Sequence, residues 1–155
     1  MREAKVDMDE SWRLAAVIVT NNPTRDAINV RATEAFAERT GRALNWYESV
    51  DMFRKSIITD SALVESLESQ HSGQTKHRLR RLPLVMGMPV AINRDFDVKA
   101  GVVNGSGGFL KAVRSDTGGD GKRRLKSCVV ELPGTEDVQM KASPAKHFPT
   151  LPDTT

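Results

Sequence analysis

The run from Leu82 to Arg114, LPLVMGMPVAINRDFDVKAGVVNGSGGFLKAVR, constrains the fold of this chain more than any other stretch. Leu82–Asn93 is rich in residues that suit strands, and Gly87 and Pro89 within it confine that strand to an edge or a bulge. Ala100–Asn104 and Phe109–Arg114 read as two further short strands. Between them Asn104-Gly105-Ser106-Gly107-Gly108 is a corner where the backbone can take positive φ at little cost. The unit is therefore read as β-hairpin structure. Thr117-Gly118-Gly119-Asp120-Gly121 supplies a second turn, and Leu125–Leu132 a last strand.

Upstream the pattern changes. Leu14–Thr20 is an apolar run of strand length. Asn22 is placed to cap a helix with Pro23 at its first position, where the missing N–H costs nothing. Ala27, Ile28, Ala35 and Phe36 then recur at helical spacing, and Gly41 stops the helix. A strand feeding a helix is the repeating element of an α/β sheet, but only one such unit is visible. Leu44–Ile58 is irregular apart from a strand near Trp46–Val50. Asp60 or Ser61 caps a second short helix in which Leu63, Val64 and Leu67 share a face, and Ser72-Gly73 ends it. From Pro133 onward lie four of the chain's seven prolines with little apolar periodicity, so this tail is expected to be extended or disordered.

The formal charge of the 155 residues is only +3, but its distribution is uneven. Lys76–Arg81 holds four cations and no acid, and Lys111–Lys126 holds six cations against Asp116 and Asp120, leaving the rest of the chain net acidic. Cations gathered in this way can displace counterions from a nucleic-acid backbone, although charge runs more often simply face water. Arg78, Arg80, Arg81, Lys111, Arg114, Lys122, Arg123 and Arg124 are the candidates for phosphate contact. Phe96 and Phe109 are the aromatics near enough in sequence to stack on bases, and the strand around Phe109 argues for the core instead. Asn104 and Gly105 are read as structural turn residues.

Other chemistry finds no footing. A P-loop fails at Gly121-Lys122, which Arg123 follows, and Asp116 stands where the first glycine belongs. Gly105-x-Gly107 meets Leu110 in place of a third dinucleotide-binding glycine. His71, His77 and His147 lack metal-ligand spacing, and the single Cys128 has no cysteine partner and reads as a small buried hydrophobe. With one cysteine, no apolar signal core in MREAKVDMDE and no apolar run of membrane-spanning length, the chain is expected in an intracellular, reducing compartment and off the membrane.

The wording of these segments resembles a family. Leu82-Pro83-Leu84-Val85, then Gly87-Met88-Pro89-Val90 and Ile92-Asn93, then Val102-Val103-Asn104-Gly105 with Gly108 and Leu110-Lys111, is similar to the C-terminal half of Pif-type DNA helicases, above all those of Helitron transposons. Trp12, Ala15–Asn22, Arg25–Asn29, Phe36–Gly41 and Trp46–Asp51 follow in the same order, so the resemblance covers Ser11 to Leu132. It implies a mixed α/β chain: an arm at 1–13, part of the second RecA-like motor domain at 14–75, an SH3-like β-barrel module at 76–132 and the tail at 133–155. It further implies a nuclear fragment of an ATP-dependent helicase that touches single-stranded DNA and docks on the missing motor domains. ATP and Mg belong to the complete family member. Without a P-loop or the later motor motifs this chain is expected to bind no cofactor and to hydrolyse no ATP alone. The resemblance places Arg25, Asp26 and Asn29 near the motor cleft, where a surface salt bridge is an equal reading. A stand-alone nucleic-acid-binding module and a peptide-binding module remain open alternatives.

Overall fold

A computed structural model describes residues 18–49, 52–53, 56–58, 60–68, 70, 72–74, 79–135 and 145–150. The order is helix α1 (Asn22–Thr40), strands β1 (Leu44–Glu48), β2 (Met52–Phe53) and β3 (Ser56–Ile57), helix α2 (Ser61–Glu68), and strands β4 (Arg81–Val85), β5 (Pro89–Ala91), β6 (Gly107–Thr117), β7 (Arg123–Glu131) and β8 (His147–Thr150). The chain is mixed α/β with one sheet of six strands, and β2 and β3 form a separate two-stranded pair.

Local chemistry sets the helix ends. Asn21, one residue earlier than expected, caps α1: its side chain accepts from the Thr24 N–H at 2.8 Å. Pro23 stands in the first turn, and Gly41 at φ 65° closes the helix with its N–H turned back to Ala37 and Glu38. Asp60 caps α2 by accepting from the Leu63 N–H at 3.0 Å. The apolar face expected of α1 is only half realised. Ile28 and Phe36 are partly covered, Ala27 and Ala35 are exposed, and Thr33 is the one buried residue, its hydroxyl donating to the Asn29 carbonyl. The helix lies against β4 and β1, and a flat contact of that kind asks for small side chains more than for a broad apolar stripe. The expected strand Leu14–Thr20 is not seen in its described part. Residues 14–17 lie outside the described residues, while Ile18, Val19 and Thr20 are irregular and Ile18 is exposed.

The start of α1 is tied to the segment after α2. Asp26 accepts from the Ser72 N–H and the Ser72 hydroxyl, both at 2.9 Å, and from Arg25 at 3.3 Å, and Arg25 also donates to Ser72. Partial burial works against the Asp26 charge, but the bonds from Ser72 and Arg25 outweigh it and hold the carboxyl below its ordinary value. A carboxyl lowered in the folded state adds stability that is present above its unfolded value of 3.8 and is lost as pH falls through the folded value. Asp26→Asn is therefore expected to cost about 1 kcal/mol at neutral pH, because it removes the charge and one of the two oxygens that accept from Ser72 and Arg25. That difference from wild type should vanish in thermal melts taken well below pH 3.8.

The six-stranded sheet runs β4-β1-β7-β6-β5, with β8 paired to β7 off this path. β1 lies antiparallel to β4, from Leu44 opposite Val85 to Glu48 opposite Arg81, and meets β7 in parallel at Glu48–Arg124. β1, although upstream of residue 76, is thus a strand of this sheet. The 82–93 run divides at Met86-Gly87. Gly87 takes φ 81° and donates to the Leu110 carbonyl at 2.7 Å, and Arg42 holds the Met86 carbonyl at 2.7 Å. The bend hands the chain from the β1 side to the β6 side, with Pro89 opening the edge strand β5, where no ladder N–H is missed. β4 and β5 end the pairing path, and the sheet is open; the expected barrel closure is not shown.

A further expectation changes. Ala100–Asn104 is a turn rather than a strand, touching Asp97 through a single bridge at Val102. Gly101 takes φ 77°, and the Asp97 carboxylate binds the Ala100 N–H at 3.1 Å, so the chain folds back before a ladder can form. The Asn104-Gly105 corner follows, with Gly105 at φ 91° and the Asn104 N–H bound to Asp95 at 2.8 Å. In the tail, His147–Thr150 is extended, as one of the two expected states, and it pairs antiparallel with Cys128–Glu131 with Phe148 buried; residues 136–144 and 151–155 lie outside the described residues. The free edge of β7 accounts for this, since it offers a ladder to any segment that can reach it.

The core has two parts that meet at Val90. One gathers Ala100, Val102, Val130, Leu132 and Phe148; the other gathers Tyr47, Leu84 and Leu110 with Leu82, Val113, Leu125 and Cys128 beside them. Burial among these neighbours pushes the Cys128 thiol up, partly offset by a hydrogen bond from Thr150. Phe109 is not in the core. It is 38% exposed because Leu110, next in the strand, takes the inward place.

Candidate nucleic-acid interface

β6 and β7 form a long hairpin closed at Gly118–Lys122, where Gly118 donates to the Lys122 carbonyl and Gly121 takes φ 74°. Leu110, Val113, Leu125 and Cys128 point inward, so their neighbours in the pleat point out. Arg114 stands opposite Ser127, and Arg124 opposite Asp116. Glu48 pairs with both Arg81 and Arg124 in register, which brings the end of β1 to the same end of the sheet.

The structure therefore brings Arg81, Arg114, Lys122, Arg123 and Arg124 together at the hairpin end. It places Lys111 further along β6, against Glu131 at 2.5 Å. Arg80 points elsewhere: it is half-buried and donates to the Val64 carbonyl of α2 at 3.3 Å. Arg78 lies outside the described residues. Asn104 and Gly105 stand in the β5–β6 connection, at the opposite end of β6 from the hairpin turn.

Most of these cations already have counter-charges. Glu48 receives Lys122 at 2.7 Å and Arg81 at 3.7 Å, and the Arg81 guanidinium also lies over the Trp46 ring, 4.7 Å from its centre. Arg124 holds Asp120 through two bonds of 2.7 and 3.1 Å, and Lys126 holds Asp116 at 3.0 Å. Arg123 donates to the neutral Asn45, and Arg114 makes no ion pair among the described residues. The Arg124 guanidinium and the Lys122 N–H hold the Asp120 carboxyl below its usual value, and Lys111 does the same for Glu131. Six cations face three carboxylates here (Glu48, Asp116 and Asp120), so the end of the sheet remains positive.

Sequence reasoning missed Glu48 and Trp46 as partners of these cations. Asp116 and Asp120 lie within the basic run and were legible as partial neutralisers. Glu48 and Trp46 come from a strand far upstream, and no local pattern announces where β1 will dock. The cation ends of these pairs are 31% to 54% exposed, and part-exposed pairs of this kind are weak, each worth about 1 kcal/mol or less, so a phosphate can compete for the cations.

Among the described residues no group of His, Cys, Asp and Glu side chains is arranged to hold a metal ion, and no helix is long and apolar enough to cross a membrane. No protein family, curated protein or solved structure matches this chain.

Proposed function

We propose that this chain is part of a Pif-type, Helitron-like DNA helicase, in which it contributes backbone contact to single-stranded DNA and has no ATPase activity of its own. On this reading it works in the nucleus against the remaining motor domains. The observation that carries the reading is the set Arg81, Arg114, Lys122, Arg123, Arg124 and Lys126 at one end of the sheet, in excess over the acids beside them. An SH3-like barrel belongs to the same proposal. Its support is the bend at Met86-Gly87, which carries one run from the β1 edge to the β6 edge.

Fluorescence anisotropy with a labelled single-stranded oligonucleotide across a salt series tests this reading. Affinity should fall steeply with salt, and Arg114→Ala should weaken binding and flatten the salt slope by about one ion. Glu48→Gln should act in the opposite sense. It releases Arg81 and Lys122 from a shared carboxylate, and affinity at low salt is expected to rise about fivefold, the two pairs together being worth about 1 kcal/mol. Salt-independent binding, or none, would overturn the proposal.

A second reading has its own support. Pro89 pairs with Phe109, and Val129 pairs with both Ala112 and Pro149, so apolar residues lie on the outer face of four strands in two groups, with the Lys111–Glu131 pair between them. Binding of a proline-rich peptide that ignores salt and is lost in Phe109→Ala would favour a peptide-recognition module.

A further inference from the structure

The connection between β5 and β6 holds an aromatic ring out of the core on a backbone that is closely tied down. Phe96 and Val98 are 58% and 68% exposed. The backbone beneath them is fixed on every side. The N–H groups of Phe96 and Asp97 both reach the Val102 carbonyl at 3.0 Å, and the Val102 N–H returns to Asp97 at 2.8 Å. Asp95 and Asp97 spend a carboxylate oxygen on the N–H groups of Asn104 and Ala100. The Ser106 hydroxyl accepts from the Val103 N–H and donates to the Gly101 carbonyl. Ala100 and Val102, 2% and 1% exposed, anchor the loop in the core.

A single exposed apolar residue is ordinary. An aromatic on a loop ordered in advance is different, because a ligand that stacks on it has little backbone entropy left to lose. Asp95 and Asp97, its neighbours in sequence, are engaged with backbone N–H groups, and Arg94 and Lys99, two residues before it and three after it, are exposed. An exposed aromatic face with cations close by in sequence complements a base carried on a phosphate chain.

We propose that Phe96 is a stacking platform for an unpaired base of single-stranded DNA, with Arg94 and Lys99 holding the adjoining phosphates. The inference rests on the nucleic-acid reading above and adds a second contact to it. The eleven residues of β6 separate this loop from the hairpin cations by roughly 30 Å at a strand rise of about 3.3 Å per residue.

The test compares an oligothymidylate of about twenty nucleotides with an abasic deoxyribose-phosphate strand of the same length, both labelled, on the full chain. Phe96→Ala should bind the oligothymidylate about tenfold more weakly, with an unchanged salt slope, and bind the abasic strand as wild type does. Phe96→Trp should restore affinity and show indole quenching on binding beyond that of wild type. Since the ring is exposed, the melting temperature should be the same in all three proteins. Equal binding of oligothymidylate by wild type and Phe96→Ala, or equal weakening on both strands, overturns the stacking platform alone. Failure of wild type to bind either strand at low salt overturns the nucleic-acid reading and the platform with it.

Discussion

Phe148→Ala is expected to destabilise the protein by about 4 kcal/mol and to release β8 from the sheet. The side chain is 3% exposed and packs with Val102, Val130 and Leu132, so its removal leaves a void whose walls belong to two separate segments, the β5–β6 connection and the end of β7. Those walls cannot close together, since Val130 is held in the β6–β7 ladder and Val102 in the β5–β6 turn. β8 is four residues long and is an edge strand, with Pro149 unable to donate to any further neighbour. Its ladder to Cys128–Glu131 would have little to hold it once the ring is gone. For a chain of this size the loss corresponds to a fall in melting temperature of about 12 °C. Hydrogen exchange should show lost protection at His147–Thr150 before the rest of the sheet. A variant that melts and exchanges like wild type would mean that the segment after Pro133 contributes nothing to the fold.

The second large effect is expected at Gly108. Its backbone is ordinary β, so the requirement for glycine is one of space and not of φ. A methyl group there would sit 2.2 Å from the Glu131 carbonyl oxygen and 2.6 Å from a methyl of Leu132. The first neighbour is backbone, and it cannot turn aside as a long side chain would. Gly108→Ala must therefore push β6 away from the end of β7 or displace Leu132, which is 1% exposed in the core. Overpacking of this kind costs about 3 kcal/mol. Gly107 provides the control, because nothing lies within 4 Å of the position its Cβ would take. Gly107→Ala should melt within about 1 °C of wild type, the ordinary range for a surface change, and Gly108→Ala about 9 °C below it. Equal melting of the two variants would show that β6 and β7 are not as close there as the structure has them.

The elements that could be read directly are those governed by neighbours in sequence. Asn21 and Pro23 begin α1 and Gly41 ends it because a cap needs only a side-chain oxygen or a left-handed residue within one turn. Asp60 starts α2 for the same reason. The β6–β7 hairpin follows from two apolar runs around a glycine-rich turn, whereas Leu82–Asn93, expected as one strand at an edge or bulge, is divided at Gly87 into β4 and β5. At Ala100–Asn104 the apolar residues favoured a strand, but Gly101 and the Asp97 carboxylate bound to the Ala100 N–H made a turn. That competition was present in the sequence, yet its outcome depended on which backbone groups found partners.

Of the candidate interface, the cations themselves were legible in the runs before Arg81 and around Lys122, and the acids that temper them were legible only in part. By itself the sequence determined where the helices begin to within a residue, where α1 ends, the turn at Gly118–Lys122, and that positive charge concentrates between Lys76 and Lys126, whereas α2 ends at Glu68, before the expected Ser72-Gly73. Tertiary structure alone decided that β1 joins β4 and β7, and so that Glu48 and Trp46 meet Arg81 and Lys122. It also decided that Phe109 faces outward while Leu110 fills the core, and that the tail returns through Phe148 to complete the sheet. The physical reason is common to all three. Caps and turns are settled within a few residues by hydrogen bonds and allowed φ, whereas strand partners, the face a strand buries and the counter-ion a cation meets depend on surfaces contributed by distant segments.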